Sequence, residues 1–180
     1  MQLANTKAGY GWASVALHWL AAIAIVAMFL IGEQFEDLPR GPEKTALMSL
    51  HIGLGVLVAP LLLARVAARF VQVKPEPLPQ HRLLALLSTA AHVGLALAIV
   101  VLVISGPLTV LSGGRALNVF GWFQIPSPMA RNQELHEIAE TVHVVTVKVM
   151  FALVVVHVLG VVKHLVLDRD KTLLRMLRPE

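Results

Sequence analysis

The chain has 180 residues, of which 57% are hydrophobic and only 14% charged, with a formal net charge of +4 and a mean hydropathy of +0.74. A water-soluble domain of this length runs out of interior before it can cover so much apolar surface, and the charges cluster between long uncharged runs, as in a membrane protein. With no cysteine, disulfides, thiolate metal sites, iron–sulfur clusters and thioether-linked c-type haem are excluded, and a metal or cofactor must be held by His, Met or carboxylate.

The chain opens on a short, weakly charged leader, MQLANTKAGYG. The apolar run behind it lasts about 18 residues or more, longer than the core of a secretory signal, so an uncleaved first span is expected. Four stretches reach the ~20 helical residues that cross a hydrocarbon layer of ~30 Å. They are residues 12–32, 46–69, 84–112 and 135–167. The connecting segments GEQFEDLPRGPEKT, VQVKPEPLPQHR and SGGRALNVFGWFQIPSPMARNQ are polar or rich in Pro and Gly and read as loops. Pro60 and Pro107 fall inside spans two and three, where kinks are expected.

Basic residues orient the bundle. With both termini in the cytoplasm, that side holds Lys7, Arg65, Arg69, Lys74, Arg82, Lys163, Arg169, Lys171, Arg175 and Arg178; the far side holds Arg40, Lys44, Arg115 and Arg131. Ten against four places both ends inside. Residues 1–180 are expected to form a single all-α membrane domain, a four-helix transmembrane bundle in the lipid bilayer, with no nucleic-acid partner.

The histidines then sort by depth. His18 comes about two turns into span one from the inner side, and His51 one to two turns into span two from the outer side. In span four His143 sits at the outer level, and His157, fourteen residues on, lies about 21 Å deeper. Fourteen residues make four turns at the periodicity of a left-handed bundle, so both point the same way. His18 with His157 and His51 with His143 therefore make two level-matched pairs, as two stacked bis-histidine haems require. A zinc or copper site needs its ligands at one point, which that spacing forbids.

Other residues gather around these levels. Gly55, one turn beyond His51, leaves room for a flat macrocycle. Arg65, fourteen residues from His51, is expected to face the inner haem and pair with its propionates, with Arg69 a turn further on helping or snorkelling to headgroups. His92 opens span three as a rival inner ligand, a quinone contact or a proton relay. His164 is a candidate for proton delivery and Lys148 for drawing an anion or quinone head toward the outer haem. His136 is expected near outer water, and His81 in a loop has no assigned role.

The chain resembles the bacterial cytochrome b561 family, and within it the small stand-alone di-haem members that include superoxide oxidase. The resemblance rests on ALHWL around His18, LHIGLG followed by Arg65 and Arg69, AH at 91–92, the HE pair at 136–137, the spacing of His143 and His157, His164, and the tail DKTLLRML. It implies two non-covalent b-type haems, ligands His18 with His157 and His51 with His143, and electron exchange with ubiquinone. Three departures stand out. The HE pair lies 21 residues before His157 rather than fourteen, which keeps His136 open as an outer ligand. Leu95 replaces a second histidine, and Lys148 stands at an apolar position. The function expected is that of a di-haem cytochrome of the bacterial cytoplasmic membrane. It would carry electrons from an outer-face donor, by resemblance superoxide, to membrane quinone. The alternative is a haem-bearing anchor that relays electrons between quinol and a partner redox protein.

Overall fold

The computed structural model describes residues 2–178. It contains four long helices, α1 (Trp12–Asp37), α2 (Pro42–Val71), α3 (Arg82–Ser112) and α4 (Gln133–Lys163), and a short hairpin of β1 (Leu117–Val119) and β2 (Phe123–Ile125) between α3 and α4. Each long helix is long and apolar enough to cross a membrane. Their outward faces carry Ile23, Leu97, Ile104 and Leu159, all more than half exposed, a pattern that only a lipid solvent accommodates.

The helices pair off as two antiparallel hairpins, α1 with α2 and α3 with α4, joined more lightly between α2 and α3. The sequence of α3 explains its tight seam with α4. Ala91, Ala98, Ser105 and Ser112 recur every seven residues, and all four are buried. Small side chains on one stripe let two backbones approach, which is how membrane helices gain packing energy without a hydrophobic drive between them. Gly94 on the same helix receives the methyl groups of Leu153. At the end away from the termini the seam is pinned by the amide of Asn132 donating to Ser112 O (2.8 Å) and by His136 Nδ1 donating to Thr109 O (2.7 Å). His136 is thus half-buried and committed to a backbone carbonyl, rather than standing in outer water as its position suggested. The centre of the bundle is filled by Ala21, Leu62, Ala98, Ile99 and Met150.

The helices outrun the hydropathy-based spans. α1 continues to Asp37 and α2 begins at Pro42, because charged residues end a hydrophobic run but do not end a helix. Proline at the first helical position has no amide to leave unpaired. Lys44 closes the corner, its Nζ donating to the carbonyls of Glu36 (3.2 Å) and Leu38 (3.0 Å) at the end of α1. Both Pro60 and Pro107 lie inside uninterrupted helices. His81 has a use after all: its Nδ1 accepts from the amide of Leu83 and caps α3.

The β-hairpin was not expected. Its turn puts Phe120 (φ 55°) and Gly121 (φ 75°) in the left-handed region, with Trp122 N donating to Val119 O at 2.9 Å. Turns of this kind favour Asn-Gly. A phenylalanine there is strained, by about 1–3 kcal/mol, and packing compensates. Its ring lies against Gly53, where an added Cβ would come within 2.8 Å of it.

The end of the bundle that carries both termini is laced by polar contacts. The leader folds back so that Trp12 N donates to Gln2 O (3.0 Å), and a side chain at Gly11 would run into the Leu3–Ala4 backbone. Ser14 Oγ reaches Gln72 Oε1 (2.9 Å), and Arg175 donates to the carbonyls of Glu76 and Ala8. Trp19 Nε1 donates to Met176 O (2.7 Å). α4 passes at Lys163 into a π-helical turn over His164–Asp168, so the fourth span runs helically to Asp168, close to the expected 167, and Arg169 terminates it in the left-handed conformation (φ 51°).

Candidate cofactor-binding site

Four imidazoles meet in pairs across the gap between the two hairpins. His18 of α1 faces His157 of α4 with ring centres 6.2 Å apart and planes at 63°. His51 of α2 faces His143 of α4 at 6.4 Å and 88°. These separations have a chemical meaning. A metal–nitrogen bond of about 2.0 Å plus about 1.1 Å from nitrogen to ring centre, doubled, would put the centres of two imidazoles that share one iron about 6.2 Å apart. Both pairs stand at the distance one iron needs between them, too far for a hydrogen bond and too close for two. His92, by contrast, stands 5.2 Å from His157, edge to face, with its Nδ1 beside Ser88 Oγ (3.4 Å). That leaves no room for an iron between them.

The backs of the two outer rings are fitted by glycines on the neighbouring helix of the same hairpin. A Cβ at Gly32 of α1 would lie 3.5 Å from Cε1 of His51, and one at Gly106 of α3 would lie 3.1 Å from Cε1 of His143. Next to Gly106, Ser105 Oγ is 3.0 Å from His143 Nδ1. His51 Nδ1 is buried without a well-formed hydrogen bond, and Phe35 packs edge-on against that ring. Gly32, Ser105 and Gly106 were missed in the sequence, because finding them requires the register between adjacent helices. Gly55, singled out there, sits instead against the methyl of Met28.

At the level of the His18–His157 pair Arg65 is half-buried and, among the described residues, makes no hydrogen bond or ion pair to protein. Burying an unpaired guanidinium is costly, so an anionic partner is expected there. Arg69 is likewise half-buried.

His164 is committed to the tail. Its Nδ1 lies 2.7 Å from Asp170 Oδ2 and 2.9 Å from Asp168 Oδ2, and Lys163 Nζ binds the same Asp168 oxygen at 2.5 Å. Slight desolvation raises the Asp170 pKa, but hydrogen bonds from Thr172 and His164 outweigh it and hold the carboxyl below its ordinary range. Lys148 is exposed on α4 and is not brought to either pair.

Four membrane-crossing helices with imidazoles opposed at iron-binding distance define a membrane cytochrome of the b type. The comparisons give the family. The model for prokaryotic cytochrome b561 matches residues 9–179, and the chain belongs to that family. It is 33% identical to cytochrome b561 homolog 2 of Escherichia coli K12, over 98% of this chain and 95% of that one. It is 29% identical to cytochrome b562 of Cereibacter sphaeroides, over 95% and 96%. The protein is therefore a multi-pass prokaryotic membrane cytochrome that binds b-type haem and takes part in electron transfer.

Proposed function

We propose that residues 1–180 act as one unit holding two b-type haems, one between His18 and His157 near the inner face and one between His51 and His143 near the outer face. The single observation that carries this reading is the equal spacing of the two histidine pairs. This reading takes neither His136 nor His92 as a ligand, because among the described residues His136 faces no other imidazole at such a spacing and His92 lies too close to His157 for an iron between them. Arg65, and Arg69 beside it, supply positive charge for the propionates of the inner group. Each bound haem supplies reversible one-electron chemistry, and two axial imidazoles close the iron to dioxygen, which favours electron transfer over oxygen binding.

The reading extends to orientation and substrate. The excess of Lys and Arg at one end places both termini in the cytoplasm, within the bacterial cytoplasmic membrane. The donor at the outer face is superoxide and the acceptor is ubiquinone. Two superoxide anions each give up one electron and leave as dioxygen, and one quinone takes both electrons and two protons to become quinol. Arg40 and Arg115 lie exposed at that face and favour an anion, against the exposed carboxylates of Glu33, Glu36, Asp37 and Glu43. Lys44 is tied to carbonyls, and Arg131 donates to Gln133.

The test has two parts. Purified protein should carry two haems per chain by pyridine haemochrome, and one haem would overturn the paired assignment. Air-oxidised protein mixed with a superoxide source and ubiquinone should show haem reduction followed by quinol formation. If only quinol reduces the haems, the chain is instead a relay to a partner redox protein.

A further inference from the structure

The outer histidine pair is chemically unequal, and the difference lies in one serine. Three of the five hydroxyls on α3 bond the carbonyl one turn back, and Ser88 lies 3.4 Å from His92 Nδ1 on its own helix. Thr89 donates to Ala85 O, Thr109 to Ser105 O and Ser112 to Leu108 O. The hydroxyl of Ser105 instead meets Nδ1 of His143 on the next helix, at 3.0 Å, from a side chain that is 4% exposed. Gly106 beside it leaves the imidazole room to lie flat against α3. His51, across the gap, has a buried Nδ1 that lies near the backbone carbonyl of Met28 without a well-formed hydrogen bond.

We propose that Ser105 is a positioning residue for the outer haem. Its oxygen accepts the Nδ1–H of His143, which selects the tautomer whose Nε2 lone pair faces His51 and makes that nitrogen the stronger donor of the two. A histidine that donates its rear proton to oxygen is more basic at the ligating nitrogen and favours ferric over ferrous iron. Ser105 therefore holds the outer midpoint potential down, which biases electrons arriving at the outer face toward the inner site. This inference rests on the ligand assignment of His51 and His143.

Ser105→Ala removes the acceptor without adding bulk. Redox titration of the membrane-purified protein should show both haems retained, the outer midpoint raised and the inner one unmoved. The outer low-spin EPR signal should shift as the freed ring turns. Ser105→Thr restores the hydroxyl, and a groove of about 200 Å³ beside Ser105, between Val101, Leu108 and Ala139, has room for the extra methyl; it should return midpoint and EPR signal to wild type. An unchanged outer midpoint in the alanine variant, an equal shift in both haems, or a threonine variant that behaves like alanine would overturn the role of Ser105. Failure of the underlying assignment has a separate signature: His143→Ala would then keep its outer haem.

Discussion

Two glycines that differ by a few tenths of an ångström make a sharp test of the outer site. Gly32→Ala and Gly106→Ala each add one methyl behind an outer histidine ring. At Gly32 the new carbon would stand 3.5 Å from His51 Cε1, an ordinary contact; at Gly106 it would stand 3.1 Å from His143 Cε1, so something must give. In the free protein the ring can swing aside, but with Nε2 bound to iron it cannot, so the cost falls on the haem-bound state. Overpacking of this kind costs about 1–3 kcal/mol, while the glycine-to-alanine gain within a helix of about 0.5–1 kcal/mol is present with and without haem and cancels. A cost of about 1–3 kcal/mol weakens outer haem binding roughly 5- to 150-fold in Gly106→Ala. Gly32→Ala keeps only the helix gain and should hold haem as well as wild type. The assay is the rate of haem transfer to excess apomyoglobin in a His18→Ala background, where only the outer haem remains and its loss is read directly. Equal rates for the two glycine variants, or faster loss from Gly32→Ala, would refute the placement of these rings.

Other perturbations address the rest of the molecule. His18→Ala or His157→Ala should remove the inner haem and leave the outer, whereas His92→Ala should keep both; absorbance spectra and haem stoichiometry decide, and loss of only the outer haem from either ligand variant would contradict the pairing. Arg65→Leu removes a positive charge that stabilises the reduced inner haem, so its midpoint should fall by more than the outer one's, and equal shifts would count against the propionate role. The Asp170 carboxyl, held below its ordinary 3.8 by Thr172 and His164, strengthens tail docking fully above that value and loses its contribution as pH falls through the lower folded-state value. Protection of residues 170–177 against hydrogen exchange, taken relative to the intrinsic amide rates, should therefore fall as pH drops from about 5 to about 3, and unchanged protection would show that the carboxyl does not secure the tail.

Much of this structure was legible without coordinates, and the reason is geometric. Helical rise converts residue number into depth, so His18, His51, His143 and His157 could be matched level by level from one sequence. Rise says nothing about which helix lies beside which, and for that reason Ser105, Gly106 and Gly32 went unnoticed while Gly55 drew attention. Hydropathy located the spans but cut α1 and α2 short, since it reports lipid contact rather than hydrogen bonding. The β-hairpin hid because its turn lacks the Asn-Gly signal; Phe120 takes a strained conformation held by a cavity at Gly53, some 67 residues earlier in the chain. Likewise the capping by His81 and the turn of α4 at His164 depend on local backbone geometry that composition does not report.

A bundle made of two hairpins from consecutive helices lends itself to stepwise biogenesis. Each half can leave the ribosome, insert and close on its own, because its partner helix follows directly behind it and its seam needs nothing from elsewhere. The halves also meet directly, through Ala21 and Leu62 of the first and Ala98, Ile99 and Met150 of the second, and Phe29 stacks on Phe151 across the boundary. An apolar seam is thus available to join them before any pigment arrives, and the opposed imidazoles above and below it are left for the cofactor to close.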